Sequence, residues 1–328
     1  MQNYMVIEEK KLQTPFGIFG GVDTFTCYPQ GELSGVRLSE KNMIVTEVGE
    51  LVPAYTETAR RKNKPSVEFD RQGMVISVAL DRQQEIITPI GELPAELVKF
   101  YPTGELHRVF ILDGQISGFW TEEEERELNI PISFDLGFSE FRTMINGLCF
   151  YESGEIKSIT LFPGERISVA TSLGTVDTRV GLSLYESGNL KSVEPAEPVT
   201  VNTPIGNITA YDPDQIGVNA DSNSLSFTEE GLIQSLITCD NAVYVQTEEG
   251  FMETFAPYIK PHPLYDDVLT VSGLKIEFDY DSRDAIIKNH KFSLDDCGFT
   301  IEPFQRPGMH CSPADCANCS LCNKNKSE

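Results

Sequence analysis

Two stretches decide the fold: Tyr151-Glu152-Ser153-Gly154-Glu155-Ile156-Lys157-Ser158-Ile159 and Tyr185-Glu186-Ser187-Gly188-Asn189-Leu190-Lys191-Ser192-Val193. Four further segments align with them on a glycine: YPQGELSGV from Tyr28, DRQGMVISV from Asp70, YPTGELHRV from Tyr101 and TEEGLIQSL from Thr228. The residue two past each glycine is always aliphatic (Leu33, Val75, Leu106, Ile156, Leu190, Ile233), and so is the residue five past it (Val36, Val78, Val109, Ile159, Val193, Leu236). Internal repetition of this kind marks an architecture in which each unit buries too little alone and stacking supplies the core.

The local chemistry predicts strands. After each glycine, aliphatic residues alternate with polar ones, as in Val109 and Ile111 or Ile159 and Leu161, the period of a strand. The glycine supplies the positive φ of a tight turn, and Pro29 and Pro102 preset the turn's entering φ. Spacings of 31 to 50 residues between the glycines leave room for insertions of unequal length. A second element precedes each unit: Thr14-Pro15-Phe16-Gly17, Thr88-Pro89-Ile90-Gly91 and Thr203-Pro204-Ile205-Gly206, with looser copies at Thr46, Phe134 and Thr171. It reads as a lead-in to a strand, and TVSG at Thr270 as the start of a degenerate seventh unit. Short helices are predicted over 122–128 and 283–290. The expectation is an all-β, elongated array of antiparallel hairpins over residues 1–304, followed by a Cys-rich tail, 305–328. The tyrosines are expected in the core, and Lys157, Ser158, Lys191 and Ser192 on a solvent-facing side.

The Y-x-S-G-x-φ-K-S unit resembles the variant MORN-type repeat. That resemblance implies a meandering sheet of consecutive hairpins and a scaffold or an immunity (antitoxin-type) role. It supplies no catalytic residues.

Composition narrows the function. The 328 residues carry 26 Lys plus Arg against 50 Asp plus Glu, a net charge of −24, and 40% are hydrophobic. That apolar fraction excludes a disordered chain. The charge argues against nucleic acid, whose phosphates need Lys and Arg, and against anionic membrane surfaces. Met1 to Gln13 lacks the apolar run of a secretory signal, and the cysteines are not spread as a disulfide framework, so a reducing, cytoplasmic setting is expected. Arg60, Arg61, Lys62 and Lys64 form the basic patch, read as an exposed insertion.

The candidate metal site is the tail: Cys311-x4-Cys316-x2-Cys319-x2-Cys322, with His310 and Cys297 in reserve. Four thiols within twelve residues can converge on one centre, and the two-residue gaps match part of a ferredoxin run. An iron–sulfur cluster, possible as [4Fe–4S], is the first expectation and zinc the alternative, with copper(I) also suited to soft thiolates. Asn219, Asp221, Asn223 and Glu230 have the oxygen spacing of a calcium loop, yet read more plainly as a polar hairpin loop. His107, His262 and His290 form no catalytic or metal-binding pair. The function expected is a non-enzymatic binding or scaffold protein with a protein partner and a four-cysteine metal site. A redox accessory protein is the alternative.

Overall fold

The computed structural model describes residues 7–8, 10–61, 64–214, 220–261 and 269–305. Within them the fold divides into two compact units, the first running to Val201 and returning from residue 220 to Leu236, the second comprising Asn202–Asp214 and the chain from Ile237.

The first unit is built on twelve antiparallel strands that neighbour one another in sequence order. They are β1 (Val22–Cys27), β2 (Leu33–Leu38), β3 (Val67–Phe69), β4 (Val75–Thr88), β5 (Gly91–Phe100) and β6 (Leu106–Phe110). The series continues with β7 (Ile145–Phe150), β8 (Ile156–Leu161), β9 (Gly174–Leu184), β10 (Leu190–Pro195), β11 (Leu225–Phe227) and β12 (Ile233–Thr238). All six repeat glycines close a hairpin of this meander. In each turn the glycine N–H donates to the carbonyl three residues back, as Gly154 does to Tyr151 at 3.0 Å. The glycines hold φ between +82° and +108°, a region that a side chain disfavours.

Register converts the repeat into two rows. The fifth position after each glycine and its cross-strand partners form one unbroken line: Phe25, Val36, Val67, Val78, Val98, Val109, Leu148, Ile159, Leu182, Val193, Leu225, Leu236. Every member from Val36 onward is 0% exposed. One residue away, and therefore on the opposite face, runs a second line: Thr26, Gly35, Glu68, Ser77, Lys99, Arg108, Cys149, Ser158, Ser183, Ser192, Ser226, Ser235.

The middle of the second line does not meet solvent as the sequence led one to expect. Ser158 and Ser192 are buried, because residues 220–224 lie over them. Asp221 accepts from Arg108 and from Ser158 Oγ, at 2.6 Å for the serine, and Asn223 donates to Ser192 Oγ at 2.7 Å. Ser224 donates through N–H and hydroxyl to the fully buried Glu194. The carboxylate of Asp221 thus faces Arg108, within the polar loop the sequence suggested.

The tyrosines are half-buried, not core. Tyr28, Tyr101, Tyr151 and Tyr185 each donate their hydroxyl to the carbonyl just before the next turn, on Phe69, Phe150, Leu184 and Phe227, at 2.8 to 2.9 Å. Lys157 and Lys191 lie 5.3 Å over the rings of Tyr151 and Tyr185, so these lysines shield the clamp. The T-x-x-G element is also a turn in its own right. At residues 14, 46, 88, 171 and 203 the threonine hydroxyl donates to the glycine carbonyl three residues on, closing a two-residue loop. Phe134-Asp-Leu-Gly137 lacks the hydroxyl and closes differently, with Leu136 N–H on Ser139.

The helix expected over 122–128 is α1 (Glu122–Glu127), started by a Thr121–Glu124 capping box. The one expected over 283–290 is a strand pair, Asp284–Ile287 with His290–Ser293. Positive φ at Lys288 and Asn289 makes the turn. In the second unit Thr247-Glu-Glu-Gly250 forms a turn of the repeat type between Asn241–Gln246 and Met252–Phe255. The segment at Thr270 instead sits in a strand, Leu269–Ser272, and its hydroxyl donates to Asp214.

Candidate functional site

Arg60 and Arg61, expected on an exposed patch, are folded inward. Arg60 makes a fork to Glu96 (2.8 and 2.8 Å) and another to Glu125 (2.7 and 2.8 Å), and Arg61 reaches Glu96 at 2.9 Å. Glu125 turns inward from α1 and also accepts from Gly114 N–H and Trp120 Nε1. Burial alone would raise the pKa of Glu96. The hydrogen bond from Arg60, the charges of Arg61 and Arg60, and Asp113 N–H outweigh it and hold the carboxyl below its usual range. This cluster is saturated and fixes the 52–61 loop to the sheet.

Beside it the loop leaves open space. Asp81 accepts from Tyr55 N–H, Thr56 N–H and Thr56 Oγ1 (2.7 to 3.0 Å), and Ser66 Oγ donates to Ala54. These bonds tie residues 54–56 to β4 and to Ser66. The cavity so formed, about 190 Å³, is lined by Arg37, Tyr55, Thr56, Thr58, Arg61, Lys64 and Asp113, among others. A second cavity of about 230 Å³ shares Arg37 and Lys64 and is completed by Thr24, Phe25, Thr26, Gly35 and Pro65. Its lining carries two cations and no carboxylate.

Gly35 explains how Lys64 arrives there. Five of the six units carry Ser or Arg at this position after the motif glycine. In the first unit a Cβ would stand 3.0 Å from Pro65, so glycine lets Pro65 lie on the sheet and bring Lys64 over it. Lys64 Nζ donates to Asp113 Oδ1 at 2.6 Å. Burial pushes the Asp113 carboxyl up, while Lys64 and Arg61 pull it down less strongly. Arg37 donates to Glu57 at 2.6 Å, and the Glu57 side chain is 85% exposed. Such a solvent-exposed partner holds its cation weakly and yields readily to an incoming anion.

Cys311, Cys316, Cys319, Cys322 and His310 lie outside the described residues. Cys27 is exposed, Cys149 and Cys239 are buried and Cys297 is half-buried. Among the described residues no three metal-ligating side chains converge. No described helix is long and apolar enough to cross a membrane. His107 stacks on Tyr101 with ring centroids 4.3 Å apart. Its pKa is lowered by burial first and then by Arg108 and Lys157.

Sequence reasoning passed over Arg37 and Phe25. The signal was there in the lone glycine at residue 35 and in Phe25, an aromatic residue on the first strand. Only the strand register shows that Phe25 begins the buried row.

No family model, no curated protein and no solved structure matches this chain.

Proposed function

We propose that this chain is a non-enzymatic, β-repeat binding protein that engages a protein partner through anionic groups entering the adjoining cavities at Arg37 and Lys64. One observation carries the reading. In a chain of net charge −24, two cavities share the same two cations beside the open end of the sheet. Arg37 donates to Glu57, whose side chain is exposed. The resemblance of the units to MORN-type repeats supports a scaffold built for surface contact. Purification of native complexes with wild type and with an R37E/K64E variant tests it. A stoichiometric partner retained by wild type and lost by the variant is the expected result; absence of any saturable partner overturns it.

The tail supports a metal site on the same protein. The spacing of Cys311, Cys316, Cys319 and Cys322 suits an iron–sulfur cluster, with zinc as the alternative and a cytoplasmic, reducing location as the setting that keeps the thiols free. Metal analysis with an absorption spectrum of anaerobically purified protein distinguishes them. Iron and sulfide with a broad visible band favour the cluster, zinc alone makes the tail a structural site, and neither removes it.

A further inference from the structure

We propose that the outer side of β1 takes up an extended acidic segment of a partner protein as an additional strand. The inference rests on the binding-protein reading and names the partner's chemistry and its mode of attachment.

Three observations converge on this edge. The apolar row of the sheet has eleven members at 0% exposure, and its twelfth, Phe25, is 57% exposed. The row therefore stops at β1 with an aromatic face uncovered, where one more strand would continue it. Val22 N–H donates to the Lys10 carbonyl at 2.9 Å; past that residue the backbone is available too. β1 ends the strand order, and among the described residues no strand pairs with its outer side. Unprotected edges are ordinarily blunted by lysine, proline or a bulge that turns them away. Val22–Cys27 contains neither lysine nor proline, and its last five residues are exposed; its register with β2 shifts at Val22/Thr24 and at Thr26/Cys27, so the regular edge is Thr24–Thr26.

The third observation selects the partner. Thr24 and Thr26 pair with Arg37 and Gly35, one residue out of step with the Phe25–Val36 pair, and together with Phe25 they line the cavity that holds Arg37 and Lys64. A strand added to β1 alternates its side chains in the same way. Those beside Phe25 fall on the apolar row, and those beside Thr24 and Thr26 fall over the two cations. The sequence that satisfies both faces alternates apolar residues with Asp or Glu. A carboxylate displacing Glu57 from Arg37 exchanges an exposed ion pair for a more enclosed one, which strengthens the interaction. Strand addition of this kind takes affinity from main-chain hydrogen bonds and specificity from alternate side chains. A second copy of this chain fits less well, because two bodies of net charge −24 repel.

The test is selection of decapeptides from a randomised display library on the full-length chain, followed by anisotropy titration of the selected peptide. The expected consensus alternates apolar and acidic residues. F25K and R37E/K64E should each weaken binding about tenfold or more, as central contacts do. The melting temperature of F25K should equal that of wild type, since Phe25 is exposed. N-methylation of every second peptide amide gives a readout that leaves the protein untouched. One phase should abolish binding and the other preserve it, because only alternate amides face β1. Selected peptides without acidic residues, or indifference to both methylation phases, overturn the proposal. So does a wild-type dimer that F25K dissolves. A native partner whose binding survives both variants removes this site while leaving the binding-protein reading intact.

Discussion

Two clusters of arginine, lysine and carboxylate stand side by side in the first unit, and they differ in one respect. Around Arg60 every charge is enclosed and answered: Glu96 and Glu125 are buried, and each takes bonds from several donors. Around Arg37 and Lys64 the same residue types border open space, and one of the two carboxylates is exposed. The ingredients are alike; enclosure separates a fastening from a surface that can recognise something. The first cluster works by being complete, the second by being incomplete.

The contrast is sharpest in stability. Glu96→Ala should destabilise the first unit by about 3–5 kcal/mol, because Arg61 would lose its buried carboxylate and Arg60 one of its two; chemical denaturation followed by circular dichroism measures this. An unaltered midpoint would remove the distinction between the clusters. Acidification should show it next. Glu96 and Asp81 both lie below the usual carboxylate range, burial opposing and hydrogen bonds prevailing in each. Their contribution is full above the unfolded-state pKa and is lost as pH falls through the folded-state values. The melting temperature should therefore drop steeply below about pH 4.5. Asp113, held above the usual range by burial, works in the opposite sense, so E96Q should flatten the acid limb and D113N should not.

Smaller effects test the rest of the comparison. Tyr151→Phe removes one turn-to-turn clamp and should cost about 1 kcal/mol, the net worth of a hydrogen bond. Glu57→Ala, at the exposed side of the open cluster, should lie within about 0.5 kcal/mol of wild type. A large loss would make the open cluster a fastening as well.

The hairpin count, the glycine turns and the buried fifth positions were legible because they depend on neighbours within one unit. The role of the T-x-x-G element was half legible. Its glycine announced a turn, but that threonine closes the loop with its own hydroxyl is a matter of geometry. Arg60 read as exposed because its partners lie 36 and 65 residues away. Nothing local to Arg60, Arg61 and Lys64 announces Glu96 or Glu125. Ser158 and Ser192 were misread for the same reason: residues 220–224, which cover them, come late in the chain. The edge site needed register above all, since Phe25 gains meaning only when the row it begins is followed across twelve strands.

The sequence order of those strands has a consequence for how the chain reaches its fold. Each strand's partner is its successor along the chain, so most pairing closes short loops, and structure can spread outward from any early hairpin. The segment 220–224 is different. Its bond from Asp221 to Arg108 joins residues 113 apart, and it has no surface to lie on until β6 to β10 stand in register. The meander thus zips, and this segment latches it last. On this view the serine row spends the early part of folding open to water and is sealed in the final step.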